Sequence, residues 1–362
     1  MSARQAPPSN RRWPAEWEPH EATWLSWPHN EEDWPGKFGP IDWAFAEIVR
    51  LVAGREDAPG SAVERVEVLC HNEDVLRRAK RCCTQAGAVM ERVRFHLFPT
   101  DRGWLRDIGP TMVETGAGLE LIDWAFNAWA KYDNFALDDA VPGLVERITK
   151  LPRREATRPD GKGRLVMEGG AIETDGAGLM LVTEECLLDP RTQVRNPGLT
   201  REGYERAFAE HLGITRTVWL SRGCVGDDTH GHIDDIARFA PPIGGKPVVV
   251  LAYEDDADDE NHEASLENER LLGEAGLHVV TIPYPAPVYF DGQRLPASYA
   301  NFYVANSAVL VPTFNDANDR VALSTLAALF PDRPTIGVHS LDLVWGLGTL
   351  HCLTQQQPAP RA

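Results

Sequence analysis

Residues 308–338 read AVLVPTFNDANDRVALSTLAALFPDRPTIGV, and this stretch indicates the fold class. An apolar run at Ala308–Pro312 predicts a strand, and a second run follows at Thr335–Val338. Between them, Asp316–Phe330 has apolar residues at helical spacing. Strands that alternate with helices are typical of α/β proteins. The stretch therefore predicts an α/β fold.

The same alternation continues outward from this stretch along most of the chain. Further strands are predicted at Val63–Cys70, Arg92–Pro99, Leu119–Phe126, Gly178–Thr183, Arg216–Leu220, Ile233–Ala240, Pro247–Ala252, Leu277–Pro283 and Ser298–Val304. Further helices are predicted at Trp43–Ala53, Asp139–Lys150, Thr200–Leu212 and Asn261–Ala275. Because no long linker interrupts the pattern, we expect a single domain over residues 13–362 after a mobile tail at residues 1–12.

Six of the 11 tryptophans fall between Trp13 and Trp43, where prolines are interleaved with them. So many prolines argue against a helix across this segment. We expect the segment to pack on the body of the fold, with the alternative that some of its rings line a ligand pocket.

The chain is acidic, with 36 Lys and Arg against 54 Asp and Glu, a net charge of −18 and an isoelectric point near 5.0. A nucleic-acid binder needs a basic face, and an anionic membrane repels an acidic protein. We therefore expect neither as a partner, whereas a small cation suits the sign of the field. The sequence has no run of about 20 apolar residues. The N-terminal segment lacks the apolar core of a secretory signal, which favours a cytoplasmic location.

The six cysteines show no small-scaffold disulfide pattern and no C-x-x-C pair, so thiolate zinc and dithiol redox chemistry are disfavoured. No strand is followed by G-x-G-x-x-G, and no Walker A loop occurs. Nucleotide cofactors are therefore disfavoured as well.

Two segments place a carboxylate beside glycine in apolar surroundings. Residues 104–110, WLRDIGP, contain Trp104 and Asp107, and a structural salt bridge at a turn is the alternative interpretation. Residues 167–172, MEGGAI, indicate that Glu168 points inward while the two glycines let the backbone pass close to another group. A hairpin turn is the alternative there.

A third segment, residues 226–235, reads GDDTHGHIDD. If Ile233–Ala240 is a strand, His232 and Asp234 point to the same face, as a general acid/base and its partner would. Gly231 would permit close backbone approach. One alternative is a solvated loop. Another is a metal site of a hydrolase formed by His230, His232 and Asp234, because H-x-H-x-D resembles part of a metallohydrolase signature.

A fourth segment, residues 345–354, reads WGLGTLHCLT and places Cys352 after a glycine-rich approach. Cys352 is either a reactive thiolate or a small buried apolar residue.

Together, a cysteine, a histidine and several carboxylates suit nucleophilic substitution at a guanidinium carbon. A guanidinium stays cationic, and its several N–H donors require more than one carboxylate. Its carbon is a poor electrophile, so a strong nucleophile such as a thiolate is needed. A bound cation beside Cys352 would favour the thiolate. A nearby histidine would protonate the leaving ammonia and then activate water.

These motifs resemble the agmatine deiminase family, within the guanidine-modifying pentein superfamily and related to bacterial-type peptidylarginine deiminase. The resemblance covers nearly the whole chain. Besides the four segments above, it is carried by residues 13–20 (WPAEWEPH), 124–129 (WAFNAW), 183–188 (TEECLL), 196–197 (NP), 295–306 (LPASYANFYVAN) and 351–358 (HCLTQQQP).

The resemblance implies a pentein fold, in which five ββαβ-type units form a pseudo-fivefold α/β propeller with the site in a central channel. It implies hydrolysis of agmatine to N-carbamoylputrescine and ammonia, in the pathway of polyamine (putrescine) biosynthesis, with no metal and no organic cofactor. It also suggests a homodimer.

The resemblance assigns catalytic roles to five residues. Cys352 would be the nucleophile and form a covalent thiouronium intermediate, and His232 would be the general acid/base. Asp107 and Asp234 would hold the guanidinium nitrogens. Glu168 would orient His232 and contact the guanidinium.

Four further residues are expected to bind the substrate. Trp104 would flank its chain, and Asp228, where the family usually has glutamate, would contact the distal amine. Gly169 and Gly231 complete this group.

Several positions depart from the family pattern. Where the family has Gly-Gly-Gly-Asn, this chain has residues 346–349, in which Leu347 and Thr349 are the differences. Where the family usually has an asparagine before the Gly-His pair, this chain has His230. The family's Trp-Gly-Gly is here residues 129–131, WAK. These differences, together with aspartate instead of the longer glutamate at Asp228, alter the pocket wall. They leave the five residues with expected catalytic roles unchanged. Another guanidino compound or a peptidyl arginine is therefore the alternative substrate. A metal-dependent hydrolase and a non-catalytic amine-binding protein are the remaining alternatives.

Overall fold

The computed structural model describes residues 10–54 and 63–360. Its strands are β1 (His20–Ser26), β2 (Arg65–Cys70), β3 (Val93–Leu97), β4 (Thr111–Thr115), β5 (Gly118–Asp123), β6 (Arg153–Glu155), β7 (Glu173–Thr174), β8 (Leu179–Thr183), β9 (Arg216–Leu220), β10 (Ala237–Ile243), β11 (Lys246–Tyr253), β12 (His278–Pro283), β13 (Tyr289–Phe290), β14 (Gln293–Arg294), β15 (Tyr303–Val304), β16 (Val309–Thr313), β17 (Thr335–His339) and β18 (Thr354–Pro358). Its α-helices are α1 (Ile41–Ala53), α2 (Glu73–Ala86), α3 (Leu105–Ile108), α4 (Val141–Thr149), α5 (Glu184–Leu188), α6 (Arg201–Leu212), α7 (His262–Glu274), α8 (Asn318–Leu329) and α9 (Leu350–Leu353).

Four sheets share one local topology, an antiparallel pair followed by a parallel strand. They are β4–β5–β6, β7–β8–β9, β10–β11–β12 and β15–β16–β17. In each sheet a helix lies in the connection between the two parallel strands, namely α4, α6, α7 and α8 in that order. Parallel strands require such a crossover, which explains why strands and helices alternate in the sequence.

A four-stranded sheet repeats this topology with strands from both ends of the described chain. β18 is antiparallel to β1, β1 is parallel to β2, and β2 is parallel to β3. Helices α1 and α2 lie in the two parallel connections. The α/β class is therefore confirmed, while the arrangement of the sheets around a common axis stays a prediction.

The proline-containing segment supplies β1, a strand that the sequence pattern did not indicate. β1 is an inner strand, and six of its seven residues are buried. A strand covered on both faces lacks the polar–apolar alternation that identifies a half-buried strand. Trp24, Trp27 and Trp34 are buried in the core as expected, whereas Trp43 is 52% exposed.

Two predicted strands are wrong in extent. Ile233–Asp235 forms a 3₁₀ turn, and β10 starts only at Ala237. The backbone here closes a turn, because the Ile236 N–H donates to the Ile233 carbonyl oxygen at 3.0 Å. β15 is likewise confined to the last two residues of the predicted Ser298–Val304.

Residues 1–9 of the expected mobile tail lie outside the described residues. Arg11 and Arg12 are described and form ion pairs, each at 2.7 Å, with Glu120 and Glu114. The domain boundary at residue 13 stays a prediction. Among the residues described, no helix combines the length and apolar composition that a membrane crossing requires.

Buried apolar side chains position the C-terminal segment that carries Cys352. The cluster that packs α1 and α2 against the four-stranded sheet also contains Trp104, Leu350, Cys352 and Leu353. Helix α9 is therefore held in the core, and β18 continues from it into the sheet. This packing places a cysteine from the end of the chain beside Trp104.

Candidate active site

A cavity with about 510 Å³ of empty space, partly open to solvent, reaches down to Cys352 and Asp107. The indole rings of Trp104 and Trp129 contribute to its wall, and Asp228 lies among the lining residues. The aromatic lining therefore comes from outside the Trp13–Trp43 segment, although Trp34 packs behind Trp104 with 5.2 Å between ring centroids.

Cys352 is held by a hydrogen-bonded asparagine that the sequence analysis did not select. Asn301 Nδ2 donates to Cys352 Sγ at 3.1 Å. Its Oδ1 accepts from Thr349 Oγ1 at 2.8 Å and from the His351 backbone N–H at 3.1 Å. Gly348 also lies close, because an added Cβ there would be 3.2 Å from Sγ and 2.7 Å from the Trp104 ring. The sulfur is thus fixed at the end of the cavity.

The surroundings of the sulfur favour the neutral thiol. Burial raises the pKa of Cys352 well above its ordinary value, and the charges of Asp234 and Asp235 raise it further. The thiol lies 3.7 Å from Asp234 Oδ2 as a donor. The N–H of Asn301 lowers the pKa but does not cancel these effects. A cation placed among the carboxylates would shift the balance toward the thiolate.

His232 lies between two carboxylates. Its Nδ1 is 3.9 Å from Asp107 Oδ2, and its Nε2 is 3.7 Å from Glu168 Oε2. Burial opposes a charge on the ring, but the charge of Asp107, followed by contacts with Cys186 and Glu168, outweighs burial and raises the pKa of His232 well above its ordinary value. The neighbouring carboxylates therefore favour the imidazolium, which is the form that can give a proton to a leaving group.

The two carboxylates beside His232 have opposite pKa shifts. Burial raises the pKa of Asp107 to about 6, although His232 opposes this. Burial also disfavours the Glu168 carboxylate, but the charges of Arg195 and His232 prevail and lower its pKa to about 2. Arg195 Nε lies 3.2 Å from Glu168 Oε1, and both side chains are fully buried. Glu168 is therefore a permanent anion, whereas Asp107 ionises near neutral pH.

Gly170 marks the point where three of the predicted residues converge. An added Cβ there would be 2.6 Å from His232 Nδ1, 3.0 Å from Asp107 Oδ1 and 3.1 Å from Asp234 Oδ2. The Gly170 N–H donates to Asp107 Oδ1 at 2.9 Å. Only a residue without a side chain fits here, which is the physical reason for the Gly-Gly pair after Glu168.

The other predicted glycines approach different groups. An added Cβ at Gly169 would be 2.2 Å from the Arg106 carbonyl oxygen, so its close contact is with backbone. At Gly231, which has φ +91°, the nearest atom is Glu185 Oε2 at 2.8 Å. Substrate contact by these two residues stays a prediction, and the structure places Gly170 at the convergence point instead.

A buried network behind Asp234 was not foreseen from the sequence. His351 Nδ1 lies 2.6 Å from Asp234 Oδ2, and His351 Nε2 lies 2.9 Å from Glu16 Oε2. Glu16 also pairs with Arg106 at 3.0 Å and with Arg238 at 2.9 Å. Burial opposes the charge of Asp234, but His351 prevails and keeps the pKa of Asp234 below its ordinary value. The network therefore fixes Asp234 as a carboxylate.

The alternative metal site does not assemble. His230 has φ +66°, and its Nε2 lies 3.0 Å from Asp189 Oδ2. Two groups of three possible ligands, each with donor atoms within 4.8 Å of one another, occur among residues 10–54 and 63–360. One contains Glu168, Cys186 and His232, and the other contains Asp234, Asp235 and Cys352. Because neither includes His230, the proposed triad of the metal-dependent alternative is not formed.

On this α/β fold, a thiol, an imidazole and several carboxylates lie close together beside the cavity. This grouping indicates a hydrolase of amidine or guanidine C–N bonds. The chain belongs to the Porphyromonas-type peptidyl-arginine deiminase family, whose model matches residues 12–358.

Individual relatives agree with this assignment. An agmatine deiminase of Stutzerimonas stutzeri is 34% identical over 96% of this chain and 95% of its own length. The structure of a C. jejuni agmatine deiminase with substrate bound has a TM-score of 0.82 at 27% identity and covers 96% of both chains. An amidinotransferase from Microseira wollei, SxtG, shares the fold with a TM-score of 0.51 at 14% identity over 96% of both chains. The chain is an agmatine deiminase-like amidine hydrolase.

Proposed function

We propose that this chain deiminates a guanidinium substrate through Cys352, with agmatine as the first candidate and N-carbamoylputrescine and ammonia as products. The observation that carries the proposal is the convergence of His232, Asp107 and Asp234 on Gly170, with Asp234 also 3.7 Å from Cys352 Sγ. The choice of agmatine is supported by relatives named agmatine deiminases.

Binding places the guanidinium between carboxylates at the deep end of the cavity. Its N–H donors match the oxygens of Asp107 and Asp234, since a planar fork of donors suits more than one carboxylate. Trp104 and Trp129 supply apolar wall along the substrate chain. The bound cation offsets the carboxylates that hold Cys352 neutral, so substrate itself promotes the thiolate.

In the first half of the reaction, Cys352 Sγ attacks the guanidinium carbon and an S–C bond forms. The C–N bond to one terminal nitrogen then breaks, and that nitrogen leaves as ammonia with a proton from His232. The enzyme retains an S-alkylated thiouronium group. Glu168 and Asp107 stabilise the imidazolium before this transfer.

In the second half, the neutral His232 takes a proton from water, and the resulting hydroxide attacks the thiouronium carbon. The S–C bond breaks, and the proton of the new hydroxyl group passes to the leaving sulfur, so that the ureido product and the Cys352 thiol form. The net change is replacement of one nitrogen by one oxygen, with one water consumed and one ammonia released.

The remaining expectations from the sequence are also proposals. They are the pseudo-fivefold arrangement of the sheets, a homodimer, a cytoplasmic location, the absence of nucleic-acid and membrane partners, and a reaction without a metal or organic cofactor.

Cys352→Ala tests the proposed function directly. We expect ammonia release from agmatine to fall to background, while Cys82→Ala, a matched substitution of a buried cysteine in α2, retains turnover. A panel of other guanidino compounds and a peptidyl arginine would identify the substrate if agmatine is a poor one. Undiminished turnover in Cys352→Ala would refute the nucleophile. Absence of ammonia release by the wild-type protein across the panel would refute deimination.

A further inference from the structure

The mouth of the cavity carries a charge pair that the proposed chemistry does not use. Lys131 Nζ forms an ion pair with Asp228 Oδ1, and Tyr132 Oη donates to Asp228 Oδ2 at 2.8 Å. Both carboxylate oxygens of Asp228 therefore already have a partner. The side chain of Lys131 is 39% exposed and that of Asp228 is 19% exposed, so the pair lies where the cavity meets solvent.

The backbone ties Lys131 to this position. Residues 128–130 have φ values of 50°, 58° and 52°, a left-handed turn that directs the next residue toward the Asp228 loop. Gln193 Nε2 donates to the carbonyl oxygens of Trp129 and Asp228, both at 3.1 Å. The two loops are thus bridged, and the Lys131–Asp228 contact belongs to a built structure rather than to two separate surface side chains.

A second ion pair involves Asp33, another carboxylate that lines the cavity. Arg102 Nη1 lies 2.6 Å from Asp33 Oδ1, and the Arg102 guanidinium lies 4.4 Å from the centre of the Tyr132 ring. Both residues line the cavity. Two of the carboxylates that line the cavity, Asp33 and Asp228, are therefore each paired with a basic side chain, while Asp107 and Glu32 line it as well.

We propose that Lys131 is a specificity-determining residue for the tail of the substrate, an inference that rests on the proposed deimination. An ammonium at the end of the tail competes with Lys131 for Asp228. A carbonyl or carboxylate at the same place accepts a hydrogen bond from Lys131 while Tyr132 still donates to Asp228. Guanidino acids and guanidino amides, beside guanidino amines, therefore form the substrate class of this pocket.

The test compares three guanidino compounds of similar length: agmatine, γ-guanidinobutyramide and γ-guanidinobutyrate. In Lys131→Met, agmatine gains a free Asp228 and γ-guanidinobutyrate loses its cationic partner. An exposed ion pair changes an equilibrium by up to about fivefold, and the two effects multiply. We therefore expect the ratio of kcat/KM for agmatine to that for γ-guanidinobutyrate to rise more than twofold and by up to about 25-fold. Lys131→Arg should keep the wild-type ratio.

Lys246→Met is the matched control, because Lys246 is exposed at the start of β11 and lies outside the residues that line the cavity. A ratio in Lys131→Met within about twofold of that of wild type and Lys246→Met would overturn the inference. The same three compounds are titrated calorimetrically into Cys352→Ala enzyme with and without Lys131→Met. If the wild-type protein releases no ammonia, deimination is refuted, and the ratio of the dissociation constants for agmatine and γ-guanidinobutyrate decides the role of Lys131. A change of this ratio in favour of agmatine in Lys131→Met supports the role, and an equal ratio with and without the substitution rejects it.

Discussion

Chloroacetamidine should alkylate Cys352 much faster than chloroacetamide at neutral pH. The two reagents have the same leaving group and nearly the same shape, but only the amidine is cationic. In the empty site, burial and the neighbouring carboxylates keep the pKa of Cys352 above its ordinary value. A neutral reagent meets the thiol in that state, whereas a cationic reagent brings the charge that offsets the carboxylates.

The size of the effect follows from the distance between sulfur and carboxylate. Asp234 Oδ2 is 3.7 Å from Cys352 Sγ. Unit charges at about 4 Å interact by about 4 kcal/mol at the effective dielectric constant of protein sites. A cation that offsets one such carboxylate would raise the thiolate population by about 10² to 10³. We expect the ratio of the two second-order alkylation rates to exceed that of a free thiol by this factor.

The assay follows modification of the Cys352 peptide by mass spectrometry, with the same protein unfolded in denaturant as the reference for intrinsic reactivity. In Asp234→Asn, chloroacetamide should react faster than with wild type, and the preference for the cation should shrink. A folded-state ratio equal to the unfolded-state ratio would refute the carboxylate-lined cation site.

Three further outcomes are expected. Gly170→Ala places a Cβ 2.6 Å from His232 Nδ1, so kcat should fall by about 10² while circular dichroism stays native; unchanged kcat would show that the convergence point is not catalytic. Asn301→Ala removes the N–H that donates to Cys352 and leaves buried donors unpaired, which should lower stability by about 1–3 kcal/mol in urea unfolding as well as slowing turnover. The pKa of Asp107, raised to about 6 by burial, predicts that kcat/KM falls as pH drops below about 6, because the carboxyl becomes neutral and no longer holds a cation; a flat profile down to pH 4 would contradict this.

The elements that could be predicted are those with a local signal. Helices such as α7 and α8 show apolar periodicity, and strands such as β9 and β12 are short apolar runs between them. β1 escaped prediction because an inner strand has no polar face. The prediction of a strand beginning at Ile233 was wrong, because Ile233–Asp235 forms a 3₁₀ turn. The polar side chains of this turn are bonded to residues of other segments.

The candidate site shows the same division. Glu168 could be selected because it stands beside two glycines among apolar residues. His232 could be selected because it is two residues from Asp234, and Cys352 because it follows a glycine-rich segment. Asn301 and His351 gave no such signal, although both lie in segments that carry the family resemblance. Their importance depends on which loops meet, and a single sequence contains no local pattern for contacts between residues 50 or more positions apart.

The role proposed for Lys131 could be inferred only from its contacts in the structure, not from its difference from the family pattern. In the sequence it is only a lysine at a position where the family pattern has glycine. In the structure its ammonium pairs with Asp228, the carboxylate expected to bind the distal amine. The reaction and the tail specificity are therefore separable properties of this pocket.

The covalent role of Cys352 is tested most directly by quenching the enzyme in acid during turnover of agmatine and measuring its mass. The proposed mechanism predicts a population heavier by the mass of substrate minus ammonia, located on the Cys352 peptide and absent from Cys352→Ala. An unmodified Cys352 peptide throughout turnover, with ammonia released at the normal rate, would contradict the formation of a sulfur–carbon bond.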